Sequence, residues 1–214
     1  MEPWFEFKST SSNRSSIDSA EVVTIEVVDE DGNKKDFVLH KSFVCFHSRF
    51  FNAAFNGPFS EGTSQSMIFH TYSLEAFGLF ADWIYKEKIP DGPGELPNIN
   101  ELVFLYIIGD HLLVPKLLNQ ILERINDSVG TTGVLPVALF RHIYENTTVE
   151  SPLRKMMIDL CIAYKHVACV EDIPHEMAVD MVNASHEHLY RKAAKLTKEK
   201  MKKYHIVEDE AFIH

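Results

Sequence analysis

The chain has 214 residues, 45% of them hydrophobic and 24% charged, and a net charge of −10 at pH 7. That length suits one domain with an extension, or two small ones, and the balance is ordinary for a globular protein. The acidic charge excludes a general nucleic-acid or anionic-membrane binder, which needs a basic face, and no apolar run approaches the ~20 residues that span a bilayer.

The opening residues Met1-Glu2-Pro3-Trp4-Phe5 lack the basic-then-apolar order of a secretory signal. Residues 9–20 are rich in Ser, Thr and Asn, so 1–20 reads as a flexible leader. Val23, Ile25 and Val27 then alternate with Thr24 and Glu26, the pattern of a half-buried strand. Asp29-Glu30-Asp31-Gly32-Asn33 supplies turn chemistry, with Gly32 and Asn33 able to take positive φ, and Asp36 to His40 returns as the partner strand.

After the polar corner His40-Lys41-Ser42, apolar residues fall at Phe43, Phe46, Phe50, Phe51, Ala54 and Phe55. The hydrophobic period has changed from two to three or four, which predicts a helical pair built to anchor a core. The pair breaks near His47, with Ser48 as N-cap of its second half, and ends at Asn56-Gly57-Pro58, Gly57 suiting a left-handed C′ position. A polar loop over 59–65 leads to a short buried strand at Met67-Ile68-Phe69.

Ser73 caps the next helix, whose stripe is Leu74, Phe77, Phe80, Ala81, Ile84 and Tyr85. A Pro- and Gly-rich loop follows from Lys86 to Pro97. Asn98 or Asn100 opens a helix with Leu102, Leu105, Tyr106 and Ile107 inward. Pro115 forces a boundary, and Leu117, Leu118, Ile121, Leu122 and Ile125 form the next seam. Farther on, Ser151 is an N-cap with Pro152 at N1, and Met156, Met157, Leu160, Ala163, Tyr164 and Val167 line one broad helical face.

Phe37, His40, Lys41, Ser48, Phe50, Phe51 and Phe55, with Ile84-Tyr85 before a loop, resemble the signature of the BTB/POZ domain. The order hairpin, helical pair, strand, helix, helical pair is similar to that family over about 21–127. The resemblance implies an α+β BTB/POZ fold, a small sheet with a hairpin flanked by helices, that binds proteins rather than catalysing a reaction. His142-Ile143-Tyr144-Glu145-Asn146-Thr147-Thr148 and Ser151-Pro152-Leu153-Arg154-Lys155 resemble the segment that follows the core in fungal BTB proteins. A C-terminal helical extension is therefore expected at 134–204, then a tail at 205–214.

The resemblance also implies where a partner would bind. Phe59-Ser60-Glu61 falls where BTB adaptors carry a hydrophobic-x-Glu motif that touches the cullin scaffold of a ubiquitin ligase. An exposed aromatic fills a pocket, and the carboxylate accepts charged hydrogen bonds. The alternative is that Phe59 folds back over the helical pair and Glu61 is a solvated loop charge. Phe55 beside the motif, and Glu101, Asp110, Gln120 and Glu123 on the outward sides of the 98–126 helices, complete the candidate contact set.

The expected partners are a cullin scaffold and an unknown client, with a homodimer possible. The competing reading is a homo-oligomeric scaffold or transcription-associated protein with no ligase link. Dimeric BTB transcription factors carry an Asp at the position of Val22, paired with a basic residue at that of Lys41; Val22 removes one of those charges.

Catalytic and metal patterns are missing from the sequence. His175-Glu176 lacks the second His of HExxH, His186 and His188 fall on different helix faces, and no Gly-x-Ser-x-Gly, Gly-x-Gly-x-x-Gly or P-loop occurs. Cys45 sits among Phe43, Phe46 and Phe50 as an inert thiol. The three cysteines, Cys45, Cys161 and Cys169, include no close pair, so a reducing compartment, cytoplasm or nucleus, is expected. No enzyme, cofactor or metal is expected. The basic run from Arg191 to Lys203 reads as a solvated helix end, with an anionic-partner or nuclear-import patch as the alternative.

Overall fold

The structure is a computed structural model that describes residues 21–91, 97–164 and 173–185. The leader over 1–20, Val167, Cys169, His186, His188, the extension beyond 185 with its basic run, and the tail lie outside the described residues. The chain divides into two compact units, one of 1–93 with 104–118 and one of 94–103 with 119–214.

The first unit is built on a three-stranded sheet of order β2-β1-β3. Strands β1 (Val22–Val28) and β2 (Lys34–His40) form the expected antiparallel hairpin, and β3 (Ser66–His70) runs parallel to β1. Gly32 takes the turn's positive φ of 81°, where a side chain would be strained. Asn33 keeps negative φ and instead binds Asp29, its backbone N–H donating at 2.8 Å and its side-chain amide at 2.9 Å.

Alternation sends Val23, Ile25 and Val27 of β1, Phe37 and Leu39 of β2 and Phe69 of β3 to one buried face. The register places Ile25 beside Phe37 and Val27 beside Phe69. Phe77 of α4 (Leu74–Lys86) closes over that face, its ring 4.8 Å from Phe37 and 5.5 Å from Phe69. Contrary to the sequence expectation, β3 is not a buried strand: Met67 is half-buried and Ile68 faces out because β3 is a sheet edge with only Phe69 inward.

The helical pair is α1 (Lys41–His47) and α2 (Arg49–Asn56), broken at Ser48 as expected. The Ser48 hydroxyl accepts from the Phe51 N–H at 3.1 Å and donates to the Leu112 carbonyl at 2.6 Å. One buried side chain thus caps α2 and ties it to the chain after α5. Phe51 and Phe55 stack at 5.7 Å in the interior, and Phe51 reaches Phe80 of α4 at 6.1 Å.

The expectation that Phe46 anchors this core is corrected: its ring is 80% exposed, because Val44 is the residue α1 turns fully inward. Residues 59–65 are not all loop either, since a one-turn helix, α3 (Ser60–Ser64), forms there. Ser73 caps α4 as read, accepting from the Ala76 N–H at 3.1 Å. Within the α4 stripe, Tyr85 turns to the surface and Trp83 takes an inward place.

Helices α5 (Ile99–His111) and α6 (Pro115–Thr132) contribute residues to both units. Asn98 opens α5 through a reciprocal box: its N–H donates to Glu101 at 2.8 Å, and the Glu101 N–H donates to the Asn98 side chain at 3.0 Å. Pro115 stands at the first position of α6, as the sequence requires.

In the second unit a 3₁₀ turn (Val137–Leu139) precedes α7 (Phe140–Asn146) and α8 (Pro152–Tyr164), and residues 175–185 are helical. The inward face of α8 is Leu153, Arg154, Met157, Ile158, Leu160 and Cys161. This corrects the expected face, since Ala163 is exposed and Met156 only half-buried. The Ser151 hydroxyl, expected as a cap, is buried with no hydrogen-bond partner among the described residues.

Arg154 is the unforeseen centre of this unit. Its Nε donates to Thr147 Oγ1 at 2.9 Å, and its guanidinium also donates to the Tyr144 and Thr147 carbonyls while lying over the Tyr144 ring at 4.4 Å.

Candidate protein-binding site

Close backbone approach shapes the corner between α2 and α3. Gly57, the C-cap of α2, has φ −85° and ψ 177°, so the expected left-handed glycine is absent. Glycine is needed for space instead: a Cβ there would lie 2.2 Å from the Ala53 carbonyl oxygen and 3.0 Å from the Phe59 ring. A Cβ on Gly62 would lie 2.4 Å from the Gly57 carbonyl oxygen.

Gln65 completes the corner from the left-handed region, at φ 51°. Its side-chain amide donates to the carbonyls of Phe55 and Gly62, and its N–H donates to the Glu61 carbonyl at 2.8 Å. Phe59 is thereby held at the N-cap of α3, its carbonyl accepting from the Gly62 N–H at 3.1 Å.

Phe59 remains 58% exposed even though one ring edge rests on Gly57. Glu61 is half-buried in the first turn of α3, and Ser60 donates to its carboxylate at 3.0 Å. An acidic side chain suits a helix start. The corner therefore carries an exposed aromatic ring and, two residues on, a half-buried carboxylate.

The remaining candidates separate. Phe55 is 1% exposed, so it belongs to the core and offers a partner no surface; this corrects its place in the contact set. Half-buried Asp110 belongs to the first unit with Phe59, whereas Glu101, Gln120 and Glu123 belong to the second. Glu101 is engaged in the α5 cap, and Glu123 is exposed.

The His-Lys signature has a structural purpose. The His40 N–H donates to the Tyr85 hydroxyl at 3.0 Å, and His40 Nδ1 lies 3.0 Å from the same oxygen. Phe43 closes the cluster, 5.0 Å from the Tyr85 ring. Lys41 meets Glu21 at 3.5 Å, so the residue before Val22 supplies a carboxylate next to the basic position. Phe50 is half-buried with its ring 5.4 Å from Phe51.

His47 is enclosed by the Trp83 and Phe46 rings, with Nε2 3.5 Å from Glu87, which also pairs with Lys116. Burial holds its pKa below the ordinary imidazole value, with Glu87 opposing and Lys116 reinforcing the shift. Burial likewise raises the Cys45 thiol, and its Sγ sits 3.7 Å from the Phe51 carbonyl; a raised thiol is a poor nucleophile. Among the described residues, no group of three or more His, Cys, Asp and Glu is placed to hold a metal ion, and no helix is long and apolar enough to cross a membrane.

Residues 16–128 match the BTB/POZ domain, more than half of the chain. The chain belongs to the BTB/POZ family. The three-stranded sheet with its flanking helices is that family's fold, and BTB/POZ domains are protein-interaction modules that often dimerise. The BTB domain of zebrafish PATZ1 is similar at 18% identity, over 48% of this chain and 75% of that one, with a TM-score of 0.36. No curated protein matches the chain.

Sequence reasoning missed Phe46 as surface because its helical spacing fits the core stripe. It missed the packing at Gly57 and Gly62 because glycine signals a turn equally well. Gly57-Pro58 with Gly62 nearby was the available hint that the backbone runs close to itself.

Proposed function

We propose that this BTB/POZ protein is a non-catalytic adaptor that joins a client protein to a cullin-RING ubiquitin ligase, in the cytoplasm or nucleus. One observation carries the reading: Phe59 stays exposed beside Glu61 although a ring of that size is usually buried. Rigid aromatic anchors beside a carboxylate form effective interface centres, since little conformational freedom is lost on docking. Asp110, in the same unit, is the acidic rim of that contact. The affiliation with fungal BTB proteins is part of the same proposal, supported by the His142–Lys155 segment, whose Thr147 and Arg154 bond one another.

The test is recovery of the BTB-specific cullin by the full chain and by a Phe59→Ala/Glu61→Ala variant of unchanged circular dichroism. Wild type should retain the cullin and the variant should lose it; no cullin with either protein defeats the reading. A homo-oligomeric scaffold is the second reading, favoured by the exposed Phe46 ring on α1. Light scattering of Phe46→Glu against wild type tests it, and a monomer in both cases removes it.

A further inference from the structure

The face of the sheet turned away from Phe77 is uncovered among the described residues. The register lays Val38, Thr24 and Ser66 in one row across the strands, then Asp36, Glu26 and Ile68, then Lys34, Val28 and His70. Val38 is 61% exposed, Ile68 59% and Val22 45%, so β-branched apolar groups stand in solvent on every strand. Lys34 pairs with Glu26 at 2.8 Å, while Asp36 forms no ion pair among the described residues.

Area decides what kind of occupant fits. Strands about 4.8 Å apart, with residues rising about 3.3 Å each, give this face roughly 300 Å². A stable interface between protein copies needs about 800 Å² from each partner, so a second copy is too large. Two aromatic side chains, each burying about 150–250 Å², match the face.

The chain carries such a group. Trp4-Phe5-Glu6-Phe7 stands ahead of a Ser-rich stretch, Lys8 to Ala20, that leads to Glu21 and β1. We propose that the outer face of the sheet is a docking site for Trp4-Phe5-Glu6-Phe7 of the same chain. The inference goes beyond the adaptor reading and does not depend on it.

A Ser-rich linker of this length would have an r.m.s. span of about 20 Å, comparable to the roughly 23 Å length of a seven-residue strand. Every row of the face is within reach. Short flexible tethers hold their ends at about millimolar effective concentration, so a contact too weak to form between molecules still closes. In an extended segment Phe5 and Phe7 share one side and would cover Val38 and Ile68.

The experiment compares methyl NMR spectra of the full chain with those of a Phe5→Ser/Phe7→Ser variant of unchanged circular dichroism. Ring currents should displace the Ile68 and Val38 methyl signals in wild type, and the variant should abolish the displacement. Methyl signals identical in wild type and the Phe5→Ser/Phe7→Ser variant would overturn the inference. Displacements that vanish on dilution would also overturn it, because the segment would then be exchanged between molecules.

Discussion

The two units keep their shape by different means. In the first, rings touch rings: Phe77 bridges Phe37, Phe69 and Phe80, and Phe51 stacks on Phe55, with Ser48 as a buried polar group satisfied on both sides. In the second, a guanidinium lies inside, donating to Thr147 and two carbonyls, and Tyr144 donates to Asp180 at 3.1 Å to secure the 175–185 helix. An aromatic core tolerates exchange of one apolar group for another of similar volume. A buried cation does not, because every partner it leaves is stranded.

The contrast is broken most severely in the aromatic core. Phe51→Ala or Phe80→Ala should cost about 3–5 kcal/mol in urea denaturation, whereas Phe51→Leu should cost far less. Next in size, Arg154→Ala should cost about 2–3 kcal/mol by leaving the Tyr144 and Thr147 carbonyls unpaired. Arg154→Lys should rescue little of that loss, since an ammonium lacks the planar fork that reaches all three acceptors. Full rescue by lysine would show that charge alone matters there.

Ser48→Ala removes the cap of α2 and the bond to Leu112 together, for about 1–2 kcal/mol. Its effect should appear as faster hydrogen exchange at the Phe51 amide. The smallest effect sharpens the comparison through pH. Burial lowers the His47 pKa in the folded protein, so the unfolded chain binds this proton first. Stability from this site is complete above the unfolded value of about 6.5 and declines as pH falls toward the folded value. His47→Gln should flatten that decline between about pH 7 and 5, as followed by thermal melts.

Local chemistry made much of the first unit legible. The alternation of Val23, Ile25 and Val27, the Ser48 and Ser73 caps and Pro115 each act within a few residues, and the structure keeps them all. What escaped depends on contacts between distant residues. Phe46 and Val44 have equally good helical spacing, and only the arrangement of neighbouring elements decides which is buried. Ile68 reads as core until β3 proves to be an edge, and nothing local marks Arg154 as buried, because the Tyr144 and Thr147 carbonyls that hold it come from the preceding helix and its C-cap. At the candidate site, the tripeptide was visible, but the close backbone approach at Gly57 and Gly62 beside it was not.

The parallel pairing of β1 with β3 joins Thr24 to Ser66 across the whole of α1, α2 and α3. The hairpin closes through near neighbours, but the third strand must wait for those helices to form, because distant pairings carry the larger loop-closure cost. During synthesis, one margin of Val22–Val28, a run rich in valine and isoleucine, therefore stays unpaired until Phe69 has left the ribosome. In that interval the nascent polypeptide is most open to adhesion between chains.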